Sequence, residues 1–257
     1  MSNPVPFVTL SGHRIEYQDI PAARAGAPDL VMLHEGLGSL AMWRNFPANL
    51  AAATGCRAVT YSRWGYGNSA PLTAPRQVDY MHREALEDLP ALRVALDLGN
   101  PILVGHSDGG SIALMHAGAG KWPVRALVLE APHVFVEDIS IRGIAQARVD
   151  YNQDELRGRL ARYHADVDHA FRGWNDVWLS PEFRSWNIEE YLPGISCPIL
   201  AIQGADDQYG TLEQLDAIER QVKGPFERLV LSQCGHSPHR DQEKATCEAM
   251  ARFIARV

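Results

Sequence analysis

Cysteine is scarce in this chain, and the four present (Cys56, Cys197, Cys234 and Cys247) are scattered with no C-x-x-C pair. That scatter excludes a dithiol redox motif and a disulfide framework, and it fits reduced thiols in a cytoplasmic protein. Cys234, His236 and His239 crowd into "CGHSPH", but this matches no common ligand spacing, so no metal site is expected. Basic charge is also short: 24 Lys and Arg stand against 31 Asp and Glu, a formal charge of −7. A nucleic-acid or anionic-membrane partner needs a basic face, so neither is expected. No uncharged apolar run approaches the ~20 residues of a membrane span. The opening "MSNPVPFVTLSGHRIEYQDI" lacks the basic and apolar regions of a secretory signal. Repeats, low-complexity tracts and linkers are absent too. The 257 residues, 46% hydrophobic and 21% charged, therefore read as one globular domain large enough for a substantial core.

What is present is a strand–helix rhythm. "DLVMLH" (29–34), "RAVTY" (57–61), "PILVG" (101–105), "RALVLE" (125–130), "PILAIQG" (198–204) and "ERLVLS" (227–232) are short apolar runs. Most are rich in Val, Ile and Leu without polar alternation, as parallel strands covered on both faces should be. Helical patterns lie between them. Met81, Ala85, Leu89, Leu92 and Leu96 recur at three- and four-residue steps, with Pro90 expected to kink or split that helix. Thr211 and Gln214 are placed as a capping box ahead of Leu212, Leu215, Ile218 and Val222. A last helix is expected over about 240–255, with Thr246, Met250, Phe253 and Ile254 on one face. "FVTL" and "HRIEYQD" predict an edge hairpin around Ser11 and Gly12. The alternation implies an α/β fold with a mainly parallel central sheet flanked by helices.

One region breaks the rhythm. Residues 133–195 contain no convincing strand, and their charged, aromatic pattern predicts helices inserted into the core formed by 1–132 and 196–257. Trp174, Trp178 and Trp186 fall inside this insertion. Their rings either pack it onto the core or line a pocket beneath it, and both can hold for different rings.

The most informative stretch is "PILVGHSDGGS". Gly105-His106-Ser107-Asp108-Gly109 fits G-x-S-x-G between a strand and a small-residue helix. A strand turning sharply into a helix strains the serine backbone and crowds the positions two residues away, which glycine relieves. Ser107 is then exposed at the C-terminal edge of the sheet as a nucleophile. A hydroxyl needs a base, and the base an acid to orient it. His236 follows the 227–232 strand and can reach the same edge. His239 lies nearer the helix start, and His106 is expected to point away from the hydroxyl. Asp206 and Asp207 follow strand 198–204, giving the chain order Ser, Asp, His.

These features resemble the α/β-hydrolase family over nearly the whole chain. "YSRWGYGNS" (61–69) is similar to the family's D-x-R-G-x-G-x-S turn, with Ser62 in place of Asp. "LVMLHEGLGSLAMW" (30–43) resembles its strand ending in His-Gly, and "GADD" resembles its G-x-x-D. The resemblance implies an α/β-hydrolase fold with a helical cap, and Asp207 rather than Asp206 as the acid. It also implies an oxyanion hole from the backbone N–H groups of Asp108 and Gly36, with Leu37 as the alternative to Gly36. Glu35 departs from the family glycine. Its expected role is a hydrogen bond bracing the loop, and the sharper alternative is a carboxylate acting near the serine.

The function so implied is hydrolysis of small to medium carboxylic esters through an acyl-enzyme, with no cofactor and with only substrate and water as partners. A serine rather than an aspartate nucleophile argues against epoxide hydrolysis and dehalogenation. Lactone hydrolysis, perhydrolysis and C–C hydrolysis of ring-cleavage diketones use the same triad. The C–C reading would need a carboxylate anchor such as Arg63, Arg142 or Arg172. A ligand receptor built on the hydrolase fold is the non-enzyme alternative.

Overall fold

The computed structural model describes residues 5–257; residues 1–4, the start of the segment assigned to the core, lie outside the described residues. Its strands are β1 (Phe7–Leu10), β2 (His13–Ile20), β3 (Asp29–Leu33), β4 (Arg57–Tyr61), β5 (Ile102–His106), β6 (Ala126–Glu130), β7 (Ile199–Gly204) and β8 (Phe226–Leu231). They form one sheet in the order β1-β2-β4-β3-β5-β6-β7-β8. The expected N-terminal hairpin is there, with β1 and β2 antiparallel around Ser11 and Gly12, both at positive φ. β2 also pairs antiparallel with β4, and every pairing from β4 to β8 is parallel. The runs of β3 to β7 are buried on both faces, but β8, expected to be buried too, is the edge of the sheet and is half-buried to exposed, with Val230 39% exposed. Alternate residues serve opposite layers, Val31, Leu103 and Leu127 on one side and Met32, Val104 and Val128 on the other.

The helices are α1 (Phe46–Thr54), α2 (Tyr80–Arg83), α3 (Leu89–Ala95), α4 (Asp108–Gly118), α5 (Asp138–Asn152), α6 (Glu155–Leu160), α7 (Val167–Trp178), α8 (Glu213–Gln221), α9 (Pro238–Asp241) and α10 (Glu243–Ile254). α1 and α10 cover one face, burying Phe46, Leu50, Met250 and Phe253 against it. α4, α3 and α8 cover the other. The α10 face matches expectation, with Thr246, Met250, Phe253 and Ile254 all buried.

Of two local expectations for the helices, one holds and one does not. Pro90 does split its helix. A π-turn over Glu84–Asp88 lets the Leu89 N–H reach Glu84 O, which places Pro90 in the first turn of α3, where its missing N–H costs least. The capping box at Thr211 and Gln214 does not form. Gln214 is buried and turned away: its Oε1 accepts from Val134 N at 2.7 Å, and its Nε2 donates to Phe135 O and Glu137. Gln214 therefore fastens the chain leaving β6. Thr211 Oγ1 accepts from Glu213 N at 3.2 Å, so the cap is a local turn instead.

Between β6 and β7 the described chain holds α5, α6, α7 and two 3₁₀ turns, and its one β contact is an isolated bridge between Phe135 and Asn187. α7 packs Phe171, Trp174, Val177 and Trp178 inward along one side. Tyr151 of α5 stacks on Phe171, with ring centroids 3.7 Å apart. This excursion lies over the C-terminal edge of the parallel strands, where α/β sheets place their ligands.

Candidate active site

The elbow is built as its glycines require. Ser107 has φ 53° and ψ −117°, in the left-handed half of the map that L-residues avoid. A Cβ at Gly105 would collide with the Gly109 carbonyl, and one at Gly109 with the Leu33 carbonyl. The turn therefore closes only with both side chains absent, and it leaves the Ser107 hydroxyl at the start of α4.

Three loops at this sheet edge bring their polar groups together. His236 Nε2 is 2.9 Å from Ser107 Oγ. With the ring proton on Nδ1, that nitrogen donates to Asp207, whose two oxygens lie 2.9 and 2.8 Å away. Asp207 is buried and also accepts from Gln203 Nε2 at 2.6 Å and Tyr209 N at 2.7 Å. Burial opposes its charge, but the His236 imidazole and these donors outweigh that and hold its carboxyl below the usual range. Asp206 is exposed and makes no contact with His236.

His239 is engaged elsewhere. Its backbone N–H donates to buried Glu130 at 2.8 Å, and its Nδ1 lies 3.0 Å from the same oxygen. His106 does point away from the hydroxyl, yet it is not idle. Its Nε2 is 2.7 Å from the backbone oxygen of His236, and its Nδ1 is 3.5 Å from the Glu35 carboxylate. Burial pushes the His106 ring toward neutrality, but Glu35, Glu130 and the His236 carbonyl reverse this and raise its pKa. Glu35 is correspondingly held far below the usual carboxylate range despite burial, chiefly by His106. Glu35 thus faces His106 as a charge partner across the two loops, but the bracing hydrogen bond expected of it is not formed: His106 Nδ1 has no hydrogen-bond partner among the described residues.

That 35–38 loop is fixed from beneath. Buried Arg63 donates to the carbonyls of His34 and Glu35, the latter at 3.0 Å. His34 Nδ1 donates to Glu35 O at 2.7 Å, and its Nε2 accepts from Arg63 N at 3.1 Å. Burial, then the Arg63 charge, holds the His34 pKa well down. Where the family turn has Asp, Ser62 donates to the buried carboxylate of Glu16 at 2.6 Å and accepts from Leu40 N at 2.8 Å. Glu16 also takes both the backbone and side-chain N–H of Asn68. The missing carboxylate is supplied from β2, a substitution invisible without the β2–β4 pairing. The backbone N–H groups of Gly36, Leu37 and Asp108 donate to no acceptor among the described residues.

Above these groups lies a cavity of about 460 Å³ lined by Ser107, His236, Glu35, Gly36 and Asp108, with Trp174 and Trp178 across from them. Trp174 sits on Gly36 so closely that a Cβ there would overlap the indole. Trp178 Nε1 donates to Tyr80 Oη at 3.1 Å. Trp186 is outside the lining and packs at 5.3 Å on Phe183. The Asp108 side chain is buried, accepts from Tyr80 Oη, and lies 3.9 Å from Arg63; burial, the larger influence, raises its pKa. Its Oδ1 is without a partner among the described residues, as is His133 Nδ1.

His133, which the sequence reading missed, lines the cavity 5.7 Å from the His236 ring. Burial pushes its pKa down to about 3, so it is neutral at ordinary pH. Its only sequence signal was position, just beyond β6. Of the arginines named as carboxylate anchors, Arg63 is buried under the loop, Arg142 and Arg172 are exposed elsewhere, and none of the three lines the cavity.

Residues 30–249 match the model of the alpha/beta hydrolase family, and the chain belongs to that family. It is 27% identical over 190 residues to an N-formylmaleamate deformylase of Pseudomonas putida, covering 67% of this chain and 68% of that protein. It is 24% identical over 310 aligned positions to protein phosphatase methylesterase 1 of Mus musculus, covering 89% and 76%. The enol-lactonase from Burkholderia xenovorans LB400 has the same fold, with a TM-score of 0.77, 17% identity, and coverage of 97% and 100%. No helix is long and apolar enough to cross a membrane among the described residues.

Proposed function

We propose that this hydrolase-family chain cleaves carboxylic esters of small to medium size through an acyl-enzyme. Ser107 is the nucleophile, His236 the general base and Asp207 its orienting acid; the 133–195 excursion is a cap over the substrate. The observation that carries the reading is the continuous path from Ser107 Oγ through His236 to Asp207, at 2.9 and 2.8 Å, beside backbone N–H groups that donate to no acceptor among the described residues.

Ser107 Oγ attacks the acyl carbon as its proton passes to His236 Nε2. The developing oxyanion is received by the amides of Gly36 and Asp108, donors already in place before charge develops. Collapse breaks the bond to the leaving oxygen, which departs as the alcohol with the proton from His236. Water then attacks the acyl carbon, giving its proton to Nε2, and the acid leaves as Ser107 recovers a proton. Asp207 keeps the imidazole in the tautomer that both steps need. His133 and Asp108 Oδ1 offer polar contacts to the bound substrate. The reduced, unpaired cysteines support a cytoplasmic setting.

The relatives' names span deformylation, methyl-ester cleavage and lactone opening. All require a nucleophile, a base and an oxyanion site at a carbonyl, which supports hydrolytic acyl transfer rather than a receptor. Side-by-side turnover of an aryl acetate and a ring-cleavage diketone separates ester from C–C hydrolysis, with the acetate expected to be cleaved faster. Labelling by a fluorophosphonate probe should disappear in Ser107→Ala with the circular dichroism spectrum unchanged. Full esterase activity in that variant would exclude the mechanism.

A further inference from the structure

The rim of the cavity has a composition that the chemistry at its floor does not use. Four arginines and no lysine line it: Arg44, Arg159, Arg162 and Arg240. They come from three separate stretches of chain: the turn following the 35–38 loop, α6 with the turn after it, and α9 just past His236. All four are exposed. Arg44, Arg162 and Arg240 have no acidic partner among the described residues, and Arg159 has only Glu155, 4.0 Å away on its own helix. Arg157, two residues from Arg159, is instead closed by Asp168 through two bonds of 3.0 and 2.8 Å. Arg44 occupies φ 53°, ψ −126°. Such backbone lies in the left-handed half of the map that residues with a side chain avoid.

The acidic side chains of the lining are Glu35 and Asp108. Neither answers the arginines, since Glu35 faces His106 and Asp108 faces Tyr80 and Arg63. In a chain of net charge −7, this opening is locally positive while the floor beside Ser107 carries carboxylates. A substrate with one anionic end is therefore turned so that its charge stays at the rim and its neutral acyl group meets Ser107. Guanidinium groups suit that end because they pair with carboxylate oxygens in a planar fork.

We propose that the substrate carries a carboxylate remote from the scissile acyl group, and that Arg44, Arg159, Arg162 and Arg240 select it. This inference rests on the hydrolytic reading of Ser107. Exposed ion pairs are individually weak, but several charges around one cleft act together on encounter and binding, and salt screens them.

The test compares the mono-4-nitrophenyl ester of adipic acid with the same ester bearing a terminal primary amide, each corrected for uncatalysed hydrolysis. At low ionic strength kcat/KM for the carboxylate should exceed that for the amide by about tenfold. The ratio should fall toward one at high salt, and also in the quadruple variant Arg44→Gln, Arg159→Gln, Arg162→Gln, Arg240→Gln. A ratio at or below one in the native chain, or one indifferent to all four substitutions, overturns the proposal while ester turnover keeps the hydrolytic reading intact. If neither ester is consumed and a fluorophosphonate fails to label Ser107, both fall together. If Ser107 is labelled but neither ester is consumed, the carboxylate proposal alone is overturned.

Discussion

At the floor of the cavity the charged side chains are partnered within the protein: Asp207 with His236, Glu35 with His106, and Asp108 with Tyr80 and Arg63. At the rim, Arg44, Arg162 and Arg240 have no acidic partner among the described residues, and water solvates them. The difference follows from desolvation. A buried charge must be compensated by the chain that buries it, so the floor is built into the fold. An exposed guanidinium costs little to leave open, so the rim is free to answer a ligand. Chemistry and selectivity are thereby assigned to regions under different physical constraints.

The strongest way to break the floor is to remove its acid without moving atoms. Asp207→Asn should lower kcat by about 10⁴-fold, because the amide favours the wrong imidazole tautomer. Asp206→Asn, at an exposed site, should change kcat by less than about twofold. Steady-state kinetics on an aryl acetate reads both; equal losses in the two variants would contradict the assignment of the acid.

Glu84 sharpens the comparison, because it is a buried carboxylate with only a distant partner, Arg76, at 3.8 Å. Burial raises its pKa from 4.5 to about 7 in the folded chain. The unfolded chain therefore releases this proton first. Folding carries no penalty from Glu84 below about pH 4.5, loses stability as pH rises toward 7, and bears the full cost above it. Glu84→Gln should match the native chain at pH 4 and be more stable at pH 8, by on the order of 3 kcal/mol. Urea denaturation at the two pH values measures this, and an equal difference at both would show that Glu84 is not held neutral.

A smaller effect is expected from Glu35→Gln. Losing the counter-charge removes what raises the His106 pKa, favours its neutral form and weakens its hydrogen bond to the His236 carbonyl. We expect kcat to fall by about tenfold with little change in KM, the pattern of a positioning residue. A change confined to KM would instead place Glu35 in substrate binding. The smallest effect on stability belongs to the rim: Arg162→Gln should move the unfolding free energy by no more than about 0.5 kcal/mol. A larger loss would mean that this arginine is structural.

The same contrast explains what could be read without coordinates. The strands β3 to β7 were legible because burial on both faces leaves continuous apolar runs, whereas β8 was read as buried and is the exposed edge of the sheet. Ser107, Asp207 and His236 were legible as neighbours because each follows a strand whose C-terminal end meets one edge. Glu16 was not, since its service to Ser62 depends on β2 pairing with β4 across 46 residues. Gln214 misled because T-x-x-Q is a local pattern, whereas its side chain answers the non-local need of the chain leaving β6. His133 and the rim arginines were hidden for the same reason: they converge on the cavity from separate stretches of chain, which no local periodicity encodes.

The central claim is that Ser107 becomes acylated. Mixing 4-nitrophenyl acetate with stoichiometric enzyme in a stopped-flow cell, followed by acid quench and peptide mass spectrometry, tests it directly. The account predicts a burst of nitrophenol matched by an acetyl group on the peptide containing Ser107, and neither burst nor adduct in Ser107→Ala. Steady turnover by the native chain with the acetyl group on another residue, or a burst that survives Ser107→Ala, would contradict it.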